Sequence, residues 1–274
     1  MNQTLSHSVP QPDATVLQQM QTQGYVHVKG MFLPEEVSEI REMFSTIHRE
    51  GVPGFYEPPA SIPGEEVEPL TLWPRVMHPH RFNDRAKHYM IHPRVAKHLE
   101  LFMGEPVVAT QSMFYFKPPG AKGQAMHQDN YYLMVRPQTC MAAWTAIDYC
   151  DAENGGMMVV PGSHLTDLVC PEEANSEISF TRERVKLPKG LKVELVKMEP
   201  GDTLFFNGTL IHGSGPNRSK DRFRRSFICH YAPASSESIS RWFNPVVHMD
   251  GAERNLAESM GGGPCGTEWA GAVH

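Results

Sequence analysis

The sequence predicts a mainly β protein, a jelly roll or barrel of antiparallel strands preceded by helices. Three observations carry that reading. The 22 Gly and 23 Pro among 274 residues imply many turns and short elements, which suits strands better than a helical bundle. From Pro106 onward, short alternating or apolar runs recur at 107–116, 126–135, 140–149, 157–160, 193–198, 203–206 and 226–232. Turn signals separate them, among them Pro118-Pro119-Gly120, Asn154-Gly155-Gly156, Pro161-Gly162, Pro200-Gly201-Asp202 and Gly213-Ser214-Gly215.

The elements ahead of that region follow from local chemistry. Residues 1–12 are polar and read as a loose end. Asp13 can cap a helix that runs to about Gln23, where Gly24 ends it, and residues 25–29 then alternate as a strand. Leu33-Pro34-Glu35-Glu36 opens a second helix: Pro fits the first turn, the acids face the positive end of the dipole, and Val37, Ile40, Phe44 and Ile47 share one face until Gly51. Residues 52–72 have no periodicity and predict a long loop, either mobile or functional. Residues 85–103 predict a helical stretch broken near Pro93. The organisation expected is one domain over 1–274: a helical and loop part at about 13–104, a β core at about 105–235 and a flexible tail at about 236–274.

Composition narrows the function classes. The formal charge of −6 disfavours a nucleic-acid partner and acidic membrane surfaces. No apolar run approaches the ~18 residues that would span a bilayer, and the N-terminus lacks a basic start followed by an apolar stretch, so the expectation is a soluble, cytoplasmic protein with no membrane partner. Five cysteines without a C-x-x-C pair suggest buried, reduced thiols. The 14 histidines are the chemically suggestive part.

A His and a carboxylate two apart on a strand project to one face and can share a metal. Chance gives about 1.6 His-x-Asp/Glu matches in this composition, and there are four: His48/Glu50, His98/Glu100, His127/Asp129 and His248/Asp250. The first two lie in helical patterns, where i and i+2 diverge by about 200° around the axis. The last sits near the end of the chain. His127/Asp129 alone lies in the middle of the β region, with His212 downstream after the run Thr203-Leu204-Phe205-Phe206. Two His and one carboxylate with open positions is the arrangement of non-heme Fe(II) oxygenases, whereas zinc prefers a fourth ligand. His164 and His230 remain candidates at this point, each as ligand or as interior histidine. Arg224, at the start of the strand reaching Ile228, can point its planar fork inward at a carboxylate.

His127-Gln128-Asp129, Ala143-Trp144-Thr145-Ala146, Asn154-Gly155-Gly156, Val160-Pro161-Gly162-Ser163-His164, Pro200-Gly201-Asp202 and His212-Gly213-Ser214-Gly215 together resemble the phytanoyl-CoA dioxygenase family over about residues 15–235. That family comprises Fe(II)/2-oxoglutarate-dependent oxygenases on a double-stranded β-helix, a cupin-like jelly roll. The resemblance implies Fe(II) on His127, Asp129 and His212. It also implies the distal carboxylate of 2-oxoglutarate on Arg224, with Arg225 as alternate and Ser214 alongside, and it places Trp144 and Gln111 in the cosubstrate pocket. O2 completes the cofactor set. Because Asp129 is present, no ligand position is left for a halide, and hydroxylation is the natural outcome; no catalytic residue beyond the iron ligands is assigned.

For the substrate, Asn130, Tyr131 and Tyr132 adjoin the iron ligands, and a basic stretch at 75–92 includes Arg75 and His78. That local positive field suits a small anionic metabolite such as an aminophosphonate or amino acid. The alternatives are an acyl-CoA thioester, or a cupin-like isomerase or binding protein without 2-oxoglutarate, with Arg224 and Ser214 as the discriminating feature.

Overall fold

A computed structural model describes residues 11–57 and 67–259. The expected loose N-terminal end, the middle of the 52–72 loop and the glycine-rich end of the tail lie almost wholly outside those residues.

The chain opens with α1 (Ala14–Gln23), β1 (Tyr25–Val28), α2 (Pro34–Glu50), a single turn α3 (Pro69–Leu72), β2 (Val76–Met77), α4 (Asp84–Met90) and α5 (Pro93–Met103). Then follow β3 (Val107–Tyr115), β4 (Gln124–His127), α6 (Asn130–Leu133), β5 (Met141–Ala146), β6 (Met157–Val159), β7 (Glu172–Glu173), β8 (Glu183–Arg184) and β9 (Glu194–Val196). The last are β10 (Thr203–Asn207), β11 (His212–Ser214), β12 (Ser226–Pro233), β13 (Ser238–Ile239), β14 (Val246–His248), β15 (Glu253–Arg254) and β16 (Ala257–Glu258).

The helix signals act as expected. The Asp13 carboxylate accepts from the N–H groups of Thr15 and Val16, and Gly24 ends α1 at φ 79°. Glu36 reaches back to accept from Leu33 N at 2.7 Å, closing the first turn of α2. Pro93 starts α5, because a first-turn position has no N–H to lose.

The major sheet runs β1-β10-β5-β12-β3-β14-β15 with β2 added on β3; the minor sheet runs β4-β11-β6-β9. They oppose each other as a double-stranded β-helix that does not close into a barrel. Strand periodicity sorts the side chains. Phe114, Phe205 and Phe227 turn outward under the helices, where Phe44 stacks on Phe114 with ring centroids 4.0 Å apart. Leu204, Trp144, Ile228 and Met113 form one cross-strand row facing Met157 and Val159 of the minor sheet. Both faces of the sheet are covered, which is why all nine residues of β3 are buried, the polar Thr110, Gln111 and Ser112 included.

Four expectations are corrected. The run 126–135 is not one strand: β4 stops at His127 and residues 130–133 are helical. His212–Ser214, expected as a turn, is a strand between β4 and β6. Residues 236–259 are not a loose tail, because β14 pairs with β3 (Val247 opposite Ala109, His248 opposite Val108) and β15 extends the sheet. Val246 and Val247 are fully buried there and cover an edge that β3 would otherwise expose, but three-residue strands are too short for periodicity to reveal. Of the thiols, Cys140, Cys150 and Cys229 are buried and free, whereas exposed Cys170 is disulfide-bonded, against expectation.

Candidate active site

The cross-strand pairing of β4 with β11 brings His127 directly opposite His212, with ring centroids 4.2 Å apart. Asp129 reaches them differently from the strand geometry expected. It stands at the N-terminal cap of α6 in a helical conformation (φ −61°, ψ −39°), so the chain turns after His127 and swings the carboxylate back. Asp129 Oδ1 lies 3.5 Å from the Nε2 atoms of both histidines. One ligand atom from each of the three residues falls within 4.8 Å of the others, and all three are buried. Among the described residues no other such group of His, Cys, Asp and Glu occurs.

The donor atoms are pre-set. His127 Nδ1 donates to Ala125 O at 2.8 Å and His212 Nδ1 donates to Leu210 O at 3.0 Å. A carbonyl can only accept, so each Nδ1 carries the proton and each Nε2 presents a lone pair. Burial pushes the Asp129 carboxyl up, but the neighbouring His212 and His230 and the hydrogen bond from His230 outweigh it and hold it well below the usual carboxylate range. His230, which the sequence left as either ligand or interior residue, is neither isolated nor part of the three: its Nε2 lies 3.0 Å from Asp129 Oδ2. Two nitrogens and a carboxylate, with no fourth ligand grouped with them among the described residues, is a donor set that fits Fe(II).

The space beside these residues, a narrow pocket between the sheets, is lined by the three residues together with Met113, Tyr115, Trp144, Ile228, Ser214, Arg224 and His230, among others. Arg224 precedes β12, is 3% exposed, and holds its guanidinium 5.1 Å from the Trp144 ring centre. Its Nη1 donates to Ser226 Oγ at 2.9 Å, and its Nε is buried with no hydrogen-bond partner. Arg225 turns the other way and is taken up by Asp148 through Nε at 2.8 Å and Nη2 at 2.9 Å. Strand alternation separates the two arginines, and Arg224 is the one in the pocket.

The remaining candidates divide. Ser214 and Trp144 line the pocket; Gln111, cross-strand from His230, is buried with Oε1 unpartnered but does not line it. Asn130 does not face the pocket: its Oδ1 accepts from Val135 N at 3.0 Å and its side chain, with Tyr131, borders a separate cavity. Tyr132 stands edge-on to His127 at 6.4 Å and reaches Glu183. Arg75 donates to the hydroxyl of Tyr115, a pocket residue, at 2.9 Å. His78 is held in a left-handed conformation (φ 50°), with Nδ1 buried and unpartnered; burial, then the charges of Arg81 and His230, push its pKa down to about 3.

Sequence reasoning missed Lys117, which is 2% exposed and donates to Ser214 Oγ at 2.9 Å. No local signal distinguishes it, because a lysine at a strand end is ordinarily solvated.

A family model described as phytanoyl-CoA dioxygenase matches residues 20–226. The chain belongs to the phytanoyl-CoA dioxygenase family. Membership makes it a dioxygenase that uses Fe(II), 2-oxoglutarate and O2. Among relatives in that family, the peroxisomal phytanoyl-CoA dioxygenase of Rattus norvegicus is 29% identical over 233 residues, covering 79% of this chain and 67% of the relative. A probable alpha-ketoglutarate-dependent hypophosphite dioxygenase of Stutzerimonas stutzeri is 26% identical over 219 residues, covering 78% and 76%. Among solved structures, the epimerase SnoN in complex with Fe3+, alpha ketoglutarate and nogalamycin RO matches with TM-score 0.63 at 22% identity over 81% of this chain and 84% of that one. EvdO2 of Micromonospora carbonacea complexed with 2-oxoglutarate matches with TM-score 0.65 at 18% identity over 96% and 99%. These two likenesses show the shared fold of the phytanoyl-CoA dioxygenase family chain. Among the described residues no helix is long and apolar enough to cross a membrane.

Proposed function

We propose that this dioxygenase hydroxylates a C–H bond of a small anionic metabolite, such as an aminophosphonate or amino acid, in the cytoplasm. In this reading His127, Asp129 and His212 hold Fe(II), and Arg224 with Ser214 receives the distal carboxylate of 2-oxoglutarate. The bound iron and cosubstrate supply the oxygen activation, with succinate and CO2 as products.

The protein's part is geometric and electrostatic. Ala125 O and Leu210 O hold both imidazoles in the metal-binding tautomer, and His230 steadies the Asp129 carboxylate. Arg224 offers a buried fork with an unpartnered Nε, which suits a carboxylate. Trp144, Met113 and Ile228 wall the pocket with apolar surface and exclude water from it.

The observation that supports the substrate class is Arg75, which donates to the hydroxyl of the pocket residue Tyr115 at 2.9 Å and so brings a positive charge beside the pocket, where it suits an anionic ligand. The names of the phytanoyl-CoA relatives favour the second reading, an acyl-CoA thioester.

The test is an anaerobic titration with Fe(II) and 2-oxoglutarate, in which a metal-to-ligand charge-transfer band should appear for the wild type and weaken in Arg224→Ala. No band, with both proteins alike, overturns the assignment of the site. Succinate release is then compared across small anionic compounds and CoA esters; turnover confined to CoA esters replaces the first substrate class with the second.

A further inference from the structure

The buried lysine at the end of β3 has no place in the iron site, yet it touches both groups assigned to the cosubstrate. Its carbonyl accepts from Arg224 N at 3.1 Å. Its Nζ donates to Ser214 Oγ at 2.9 Å, to Gly155 O at 3.2 Å and to Gly215 O at 2.5 Å. Burial first, and then the charge of Arg224, push the Lys117 pKa well down, and the three acceptors, matching the three N–H groups of an ammonium, are what favour the charged form in this cage. The cage is built for it: a Cβ at Gly155 would stand 2.8 Å from Lys117 Cε and 2.4 Å from Gly215 O, so the glycine of Asn154-Gly155-Gly156 leaves the room the side chain occupies. Lys117 itself is held at φ 40°, a conformation a side-chain-bearing residue rarely adopts.

Ser214 shows the consequence. Its oxygen accepts from Lys117 Nζ and, at 3.3 Å, from Gln124 N. With both lone pairs engaged, its single O–H is left to donate, and Ser214 lines the pocket beside Arg224.

The geometry points to Lys117 as a positioning residue for the dicarboxylate: it aims the Ser214 hydroxyl proton at the distal carboxylate, fixes the main chain of Arg224, and adds a second buried positive charge behind them. This inference rests on the assignment of that end of the pocket to 2-oxoglutarate and names what makes it selective for a 2-oxo acid with a second carboxylate.

The test measures ligand affinity on the metal-loaded chain under anaerobic conditions, by tryptophan fluorescence, with 2-oxoglutarate and with 2-oxopentanoate, which has the same chain length and no distal carboxylate. Ser214→Ala and Lys117→Met should each weaken 2-oxoglutarate binding roughly tenfold or more. Affinity for 2-oxopentanoate should stay within about twofold, and Lys117→Met should cost clearly less in a Ser214→Ala background. Lys117→Gln, which keeps one donor and loses the charge, should fall between. Equal losses for both ligands mark general damage and overturn the proposal, as does an undiminished loss in the double variant. If Lys117→Met does not fold, Ser214→Ala decides: unchanged 2-oxoglutarate affinity overturns the aimed proton. A wild-type protein that binds 2-oxoglutarate no better than 2-oxopentanoate removes the underlying assignment as well.

Discussion

Replacing Arg224 with Met separates binding from stability. Residue Arg224 is 3% exposed, its guanidinium has one hydrogen bond to Ser226 Oγ and an unpartnered Nε, and it lies near the buried amine of Lys117. Truncating one partner of a buried, hydrogen-bonded charge pair costs about 2–5 kcal/mol. Taking about 3 kcal/mol, 2-oxoglutarate should bind roughly 100-fold more weakly to Arg224→Met. Without ligand the sign differs: a buried charge lacking a counter-ion is itself costly, so the apolar replacement should leave melting temperature unchanged or raised. At a ligand concentration of 100 times the wild-type Kd, linkage stabilises the wild type by about 2.7 kcal/mol and the variant by about 0.4 kcal/mol. For a domain of this size that is a ligand-induced shift of roughly 5 °C or more against about 1 °C. Thermal scans with and without 2-oxoglutarate, in the presence of a redox-inert divalent metal, read it directly. An Arg224→Met protein that keeps the full ligand-induced shift would refute the reasoning.

Further outcomes follow from other parts of the structure. His230→Leu removes the group 3.0 Å from Asp129 Oδ2 and should lower metal affinity about 10–100-fold, measured by competition with a chelator; unchanged affinity sinks the orienting role. His78 and His80 are both pushed down to about 3, by burial first, so between pH about 6.5 and 3 the unfolded chain binds protons that the native chain does not. Their contribution to stability is complete above the ordinary histidine pKa and is lost as pH falls through that window, by at most about 1.4 kcal/mol per pH unit for each histidine. Denaturant titrations from pH 7 to 4 should show that slope, and His80→Asn should flatten it. Phe44→Ala removes a fully buried ring stacked on Phe114 and should cost about 3–5 kcal/mol in unfolding free energy; a loss below 1 kcal/mol would mean α2 is not anchored on the sheet through this contact.

Much of this was legible in the chain. Runs rich in apolar residues, such as those within 107–115 and 226–233, announce buried strands because both faces of the major sheet are covered. Asp13, Gly24 and Pro93 mark helix ends because capping is decided within a few residues. What could not be read is what depends on pairing. Strands of two or three residues, such as His212–Ser214 and Val246–His248, carry no period and exist because neighbouring strands recruit them. The partition of Arg224 inward and Arg225 onto Asp148 depends on the register of β12. Asn130, adjacent to Asp129 in sequence, is turned away because the helical turn at Asp129 reverses the chain.

The sequence by itself determined the class of protein, a β-rich core behind capped helices, and singled out His127 with Asp129, because residue type and spacing are written along one dimension; His212 as the third member came with the family resemblance. Tertiary structure alone decided how Asp129 meets two histidines and that His230 backs it. It also decided that an unremarked lysine lies buried between Ser214, Gly155 and Gly215. Those contacts join residues up to about a hundred positions apart, and burial changes the chemistry of each partner: a solvated lysine is a surface charge, whereas the same ammonium in a dry cage of three acceptors directs a neighbour's proton.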